Sequence, residues 1–459
     1  MTKSYKLALH IFRRDLRLQD NSGLIEALRS AERVIPCFIF DKRQVERNDY
    51  KSDHAIQFMT QTLLEINEQL KEKNGRLYFF YGIAENIVSE LLDELKIDAV
   101  FVNRDYTPFS IQRDRLIEAA CHKKGIDFHS YADALINEPE QTLKPNGDPY
   151  TIFTPFFRRA SLLDVTTPRR NTYDNYYNKP IASTDNQILT RLMQKQNPNL
   201  LVKGGRAEGI QLLKRIPELK DYADIRNMPA LPGTTKLSAH HKFGSVSIRE
   251  TYHTVVKAFG KQHTLITELY WRDFFTHITF HFPHVLQGAF QARYDKLPWT
   301  NNENYFRAWC EGRTGFPIVD AGMRELNTTG YMHNRVRMIV ASFLTKDLHI
   351  DWRWGEKYFA QKLVDYDVAV NNGSWQWAAS TGCDAQPYFR IFNPWLQQQK
   401  FDPDCLYIKR WIPELNRLSP KQIHQLEKVT PTLLTNYPKT LINHSQESIK
   451  IKAAFKNIS

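Results

Sequence analysis

Over the first 130 residues, short apolar runs alternate with stretches of helical period. The runs Leu7–Phe12, Arg33–Phe40, Arg76–Tyr81, Ala99–Asn103 and Asp127–Tyr131 predict strands. Between them, Ser22–Arg29, His54–Lys73, Ala84–Leu95 and Ile111–Lys124 space their apolar residues as one face of a helix requires. Strands interleaved with helices predict an α/β domain: a doubly wound parallel sheet with right-handed crossovers. The segment after the first strand reads HIFRRDLRLQDN and holds no GxGxxG, so a standard pyrophosphate-binding turn is not expected there. Ligands of such sheets favour the carboxyl ends of the strands, where Arg13, Asp41 and Asn103–Tyr106 fall.

From Ala132 to Pro198 the periodicity lapses into KPNGDPY, TTPRRNTYDNYYNKP and NPN. This predicts a connector wrapped over the surface, with one helix at Phe153–Leu163. Beyond residue 200 the pattern is helical and stays so. Helices are expected at Gly205–Arg215, Ser247–Phe259, Thr264–His281, Asn302–Glu311, Val319–Thr328, His333–Asp347, Trp354–Leu363 and Ser374–Thr381. The expected organisation is an α/β domain over 1–131, a connector over 132–200 and an all-α domain over 201–459.

Composition changes this picture in one respect. At 459 residues, with 42% hydrophobic and 24% charged residues, the chain has the make-up of an ordinary soluble globular protein. The net charge of +12 is unevenly placed, because residues 1–130 contain 20 Lys/Arg and 20 Asp/Glu. The whole basic excess lies in the second part, which points to a polyanionic partner there. The five cysteines are widely separated, with no CxxC, and suit a reducing cytosol rather than a zinc site or disulfide framework. No run approaches 18 apolar residues and no leader pattern opens the chain, so a cytoplasmic protein without a membrane partner is expected.

Four stretches bring polar and aromatic groups together. LVDYDVAVNNGSWQWAASTG, Leu363 to Gly382, holds two aspartates, two asparagines and two tryptophans. On a helix Trp375 and Trp377 would point about 200° apart, one into a cavity and one into the protein. A plain amphipathic core helix reads equally well. LPGTTKLSAHHKFGSVS, Leu231 to Ser247, sets hydroxyls and Lys236 on a turn before a helix, as a phosphate site would; a capped polar loop is the commoner alternative. TELYWRDFF spaces Glu268, Trp271, Arg272 and Phe275 along one helical face, a carboxylate beside a flat indole, as a planar base with polar edges would need; a core indole beside a surface Glu–Arg pair is the commoner alternative. TTGYMHNRVRMIVASFL opens an apolar helix with His333, Asn334, Arg335 and Arg337; Arg337 suits a carboxylate such as Asp365, and Arg335 a phosphate, while plain solvation of a helix end reads equally well.

The run from Arg313 to Gly382, extended by TGCDAQPYFRIFNP up to Pro394, resembles the flavin-binding core of the DNA photolyase/cryptochrome family. The likeness covers essentially the whole chain and is strongest to class I cyclobutane pyrimidine dimer photolyases of bacteria. It implies a non-covalent FAD in the helical domain, active in its reduced anionic form. The matching positions for the cofactor are Tyr222, Thr234, Thr235, Lys236, Leu237, Ser238, Arg272, Asn334, Arg337, Asp365, Asp367 and Asn371, with Asn371 near the flavin N5. The resemblance further implies light-driven DNA repair, in which a dimer flipped out of double- or single-stranded DNA is split by an electron from the excited flavin. For the lesion and DNA it implies Glu268, Trp271, Arg272, Asn334, Arg335, Met338 and Trp377, and for electron relay Trp375, Trp352 and Trp299.

The resemblance leaves room for a second, antenna pigment, a folate, a deazaflavin or another flavin-like one, or for none. Phe109 and Ser110 stand where folate-binding relatives carry an Asn–Glu pair, which counts against a folate held in that mode. Tyr331 stands where relatives often carry Trp, and His333 lies in the MHNR context of dimer photolyases. The chain is expected to act as a monomer. A cryptochrome-like photoreceptor that binds FAD without repair is the alternative, disfavoured by the retained Glu268, Trp271, Met338 and Trp377.

Overall fold

The computed structural model describes residues 3–46, 48–428 and 436–458. Five strands, β1 (Tyr5–Phe12), β2 (Ala31–Asp41), β3 (Tyr78–Gly82), β4 (Ala99–Asn103) and β5 (Asp127–Tyr131), form one parallel sheet in the order β3-β2-β1-β4-β5. In the middle of β1, Leu9 lies opposite Ile35 of β2 and Val100 of β4. Its side chains alternate as the pleat demands: Ala8 and Phe12 enter one apolar cluster, Leu9 and Ile11 the other. The helices Ser22–Ser30, Asp53–Lys71, Ala84–Glu94 and Pro108–Lys123 return the chain between strands. Asn21, Ser52 and Thr107 each cap the following helix by accepting a backbone N–H.

The connector is not merely a surface wrap. Tyr176 is 1% exposed and forms a parallel bridge with Val34, whose N–H donates to Asn175 O while Tyr177 N–H donates to Val34 O. The segment YDNYYNKP is polar in composition but runs beside β2, so its backbone groups are satisfied by a strand and its tyrosine fills an apolar gap. Composition alone does not reveal such a partner. The helix expected near 153 runs from Phe153 to Ala160, and a short one at Ile188–Leu192 was not foreseen.

Past residue 200 the chain is helical, and it shares its packing with the sheet. Ala239, Phe243, Tyr331 and Val364 belong to the same apolar cluster as Ala8 and Phe12. Buried ions complete this seam. Arg249 bonds to Asp20 (3.0 Å) and Asp133 (2.8 Å), and Arg17 to Asp133 (2.6 Å). Each charge there has a counter-charge, which is what makes its burial tolerable.

Two helix boundaries differ from expectation for identifiable reasons. The tryptophan-bearing helix begins at Val368, not Ser374, because Asp367 caps it: Oδ1 accepts from the amides of Ala369 (3.1 Å) and Val370 (3.2 Å). Its two asparagines do not break it. Asn371 Nδ2 donates to Glu356 O and Asn372 Nδ2 to Glu356 Oε1, both at 3.1 Å. The helix expected over His333–Asp347 is α-helical at Asn334–Ser342 and widens to a π-turn at Phe343–Asp347. There Lys346 donates to Ala379 O (3.0 Å), and Asp347 meets His444 at 2.5 Å on the helix His444–Lys456, which periodicity had not marked.

The helices Trp352–Lys362 and Val368–Ala379 touch through a glycine. A Cβ on Gly355 would lie 2.1 Å from Cη2 of Trp375 and 2.6 Å from Leu344. Gly355→Ala is therefore expected to lower stability by about 1–3 kcal/mol through overpacking. A thermal melt reads the loss, and an altered Trp fluorescence maximum would report displacement of the Trp375 ring.

Candidate functional site

A cavity of about 540 Å³ opens among the helices. One wall is the helix Thr264–His281, whose Glu268, Trp271, Arg272 and Phe275 all line it, as their spacing along one face required. Phe153 stacks on Trp271 with ring centroids 3.7 Å apart and planes 6° from parallel, fixing the orientation of that indole. A second wall is Asn334–Ser342, which contributes Asn334, Arg337 and Met338. The turn Thr234–Ser238 borders the space with Tyr222, and Lys236 takes a left-handed backbone (φ 56°) to make that turn.

The fourth wall is Val368–Ala379. Trp375 is buried against Phe359 (5.0 Å) and Trp309 (6.2 Å), whereas Trp377 is half-buried. Both border the cavity, which reaches round the helix rather than facing one side of it. Asn371 borders it as well. Helix–helix contact on this side is again close: a Cβ on Gly373 would fall 2.1 Å from Phe275.

Charge in the cavity is ordered in two groups. Arg337 Nη2 donates to Asp365 Oδ2 (2.9 Å) and its Nε to Met332 O (2.8 Å). The other carboxylate oxygen of Asp365, Oδ1, is buried and has no hydrogen-bond partner among the described residues, which suits it to a donor from within the cavity. Asp367 pairs with Arg14, which arrives from the loop after β1 and also meets Asp105 (3.3 Å). Burial would raise the Asp367 carboxyl, but Arg14, Lys242 and Arg272 outweigh it and hold it at about 2. Burial, aided by Arg14, draws the Lys242 ammonium down to about 8 against the pull of Asp367 and Asp105. Burial also lowers Lys236, with Arg215 adding to the effect.

Several predicted residues lie elsewhere. Arg335 does not line the cavity. It is held by Asn227 Oδ1 (2.8 Å) and stacks over Phe401 (4.4 Å). Trp352 is buried in the apolar cluster that contains Trp375, and Trp299 packs at its margin; neither reaches the cavity. Arg272 points its guanidinium at backbone, donating to Ala134 O (2.7 Å), although its side chain borders the space. At the strand ends, Arg13 donates to the carbonyl of Asn103 and to the carboxylate of Asp114.

Other lining residues escaped the sequence reading. Arg226 sits four residues after Tyr222 and pairs with Glu268 (2.7 Å), a helical spacing that could have been noticed. His241 and Lys242 lie three and four residues past Ser238 on its own helix. Arg14, which stands behind the lining against Asp367, carried no signal, since its partner is 353 residues away.

Two sequence-family models match the chain: that for DNA photolyase over residues 8–171, and that for the FAD binding domain of DNA photolyase over residues 265–457. The deoxyribodipyrimidine photo-lyase of Synechococcus sp. is 36% identical over 97% of this chain and 96% of its own length. The chain belongs to the DNA photolyase family. Its fold is similar to the archaeal photolyase from Sulfolobus tokodaii with two FAD molecules, at TM-score 0.90 and 44% identity, covering 98% of this chain and 100% of the other. It is also similar to the Synechocystis cryptochrome, at TM-score 0.88 and 27% identity over 99% and 100% of the two chains. Membership brings FAD into consideration, and the cavity suits it. Hydroxyls and Lys236 at 234–238 match a pyrophosphate, the orphaned Asp365 Oδ1 matches a ring N–H, and the indoles and Phe275 supply apolar surface.

Glu356, which holds both asparagines in place, gives the site a pH signature. Burial raises its carboxyl from 4.5 to about 7, opposed by the bond from Asn372. The folded state therefore keeps this proton where the unfolded chain has lost it. Its stabilising effect is complete below about pH 4.5 and is lost as pH rises to 7, on the order of 3 kcal/mol in all. Glu356→Gln, which preserves the acceptor for Asn372, is expected to flatten that window and to be the more stable protein at pH 8. Chemical denaturation between pH 4.5 and pH 8 checks the sign.

Proposed function

We propose that the cavity holds one FAD and that the protein repairs cyclobutane pyrimidine dimers in DNA under light. The single observation that carries this reading is the convergence in one cavity of Glu268, Trp271, Met338 and Trp377 with the Arg337–Asp365 pair and the 234–238 turn. Bound FAD, in its reduced anionic form, supplies the photoexcited electron that opens the cyclobutane ring and takes it back. The chain's own residues bind, orient and tune. Tyr222, Thr234, Thr235, Lys236, Leu237 and Ser238 hold the phosphates and their surroundings, while Arg272, Asn334, Arg337, Asp365, Asp367 and Asn371 surround the rings. Arg14, Lys242 and Arg272 set positive charge beside Asp367, which favours an anionic cofactor over a neutral one. Asn371 adds an amide where a carboxylate would add negative charge.

On the substrate side, Trp271 and Trp377 offer flat apolar faces to the flipped bases, Glu268 accepts hydrogen bonds from their edges, and Met338 fills the space between. Arg335 and the basic excess bind the flanking phosphates, so affinity falls as salt rises. Trp375, Trp352 and Trp299 lie in or against one apolar cluster, which supports their role in carrying electrons inward. For the second pigment, Ser110 Oγ donates to Asp105 (2.8 Å) and Phe109 lies under Arg43 (5.0 Å). Neither residue supplies the Asn–Glu pair that holds a folate, which leaves a deazaflavin, another flavin-like pigment or no antenna. Similarity to a cryptochrome leaves a photoreceptor as the second reading, and the lesion-side residues Glu268, Trp271, Met338 and Trp377 weigh against it.

The deciding experiment is light-dependent repair of separate cyclobutane-dimer and (6-4) oligonucleotides. Repair of the first alone is expected, from yellow or blue protein with one FAD per chain; FAD-loaded protein that repairs neither would refute the reading. Trp377→Ala is expected to weaken binding to dimer-containing DNA by about tenfold, the worth of one stacked base, with FAD content unchanged. Loss of the flavin instead would place Trp377 on the cofactor. Trp375→Phe is expected to slow photoreduction of oxidised FAD while leaving repair by chemically reduced enzyme intact, as separate spectroscopic and repair assays would show.

A further inference from the structure

Across the cavity rim runs a short strap formed by Arg226 and Asn227. Arg226 Nη1 donates to Glu268 Oε1 at 2.7 Å, on the helix Thr264–His281. Its neighbour Asn227 accepts from Arg335 through Oδ1 (2.8 and 3.2 Å), on the helix Asn334–Ser342. The strap thus occupies a carboxylate that lines the cavity and a guanidinium that stands outside it, on two of the helices that wall it. Arg226 further lies over the ring of Tyr222 (5.6 Å), and its like charge lowers Arg335 after the larger effect of burial. The ion pair is only partly sheltered, Arg226 being 23% and Glu268 32% exposed, so it is weak enough to be exchanged for other partners.

We infer that Arg226 is a specificity-determining residue: its pairing with Glu268 is a latch that a flipped lesion opens. With no base in the cavity, Glu268 holds the guanidinium and withholds it from the DNA backbone. A base edge that takes over Glu268 frees Arg226 for a phosphate beside the lesion. Lesion recognition and phosphate binding are thereby coupled, and each strengthens the other by the same factor. Undamaged DNA, which offers phosphates but no extruded base, meets one cation fewer. The inference deepens the proposed function, resting on Glu268 as the lesion contact, and it assigns to Arg226 the selectivity of that site.

The test measures dark binding of the FAD-loaded protein to one oligonucleotide, undamaged or carrying a single thymine dimer, across a range of salt. Glu268→Gln is expected to tighten binding to undamaged DNA about threefold at low salt and to steepen its salt dependence by about one counterion. It is expected to weaken binding to the dimer. In an Arg226→Gln background, the same Glu268 change is expected to leave undamaged-DNA affinity where it was. The latch is overturned if Glu268→Gln leaves undamaged-DNA binding unchanged, or if the tightening persists without Arg226, which would make it a general charge effect. Arg226→Lys, which keeps the charge but not the guanidinium geometry, should retain most of the selectivity. FAD content and melting temperature of each variant verify folding. A wild-type protein with no preference for the dimer would instead bring down the lesion reading on which the latch stands.

Discussion

A buried carboxylate at the head of one helix ties the molecule together. Asp367 has to be satisfied on every side, and the ways in which it is satisfied build the site. One oxygen caps the helix Val368–Ala379 and so sets the position of Asn371, Trp375 and Trp377. The other pairs with Arg14, which in turn meets Asp105 beyond β4. The helix that walls the cavity is thereby anchored on the carboxyl edge of the sheet. A buried charge left unpaired costs far more than the pair contributes, so this contact constrains geometry more than it adds stability. The same holds at Asp20, Asp133, Arg17 and Arg249, where the rest of the seam is closed.

The cavity shows a division between groups that are already satisfied and groups that are not. Asn371 and Asn372 donate to Glu356 and Gln376 donates to Asn372, which keeps polar side chains rigid inside an apolar bundle. Asp365 is half-paired, with Arg337 on one oxygen and none on the other. Glu268 is held by a partner that solvent reaches. Rigid groups suit a resident cofactor, whereas an exchangeable one suits a substrate that comes and goes. That gradient from fixed to exchangeable runs from the sheet-side carboxylates to the rim, and it matches a family whose members carry FAD-binding domains.

Local periodicity was a good guide wherever one face of an element is buried. All five strands agree with their expected ends within two residues, and β4 and β5 agree at both ends. Thr264–His281 was found whole, and its Glu268–Trp271–Arg272–Phe275 stripe lines the cavity because i, i+3, i+4 and i+7 share a face on any α-helix. Reading failed where a tertiary partner overrides local preference. The start of Val368–Ala379 depends on Asp367 finding Arg14, the connector is drawn into the core by Tyr176, and the widened turn at Phe343–Asp347 accompanies contacts to Ala379 and His444.

The sequence by itself therefore determined the alternation of strands and helices, the shift of basic charge to the second part, and the set of residue types that a flavin and a flat, polar-edged substrate require. It also carried the family resemblance, because motifs such as TTKLS and NNGSWQW are local strings. Only the tertiary structure decided which of those residues share a cavity and which stand outside it. Arg335 against Asn227, Trp352 in the core and Arg14 against Asp367 are outcomes of long-range packing and of pairing buried charges. The physical reason is that periodicity encodes which face of an element is buried. The partner of a charge is set by whichever opposite charge the folded chain brings within a few ångströms, whatever their separation in sequence.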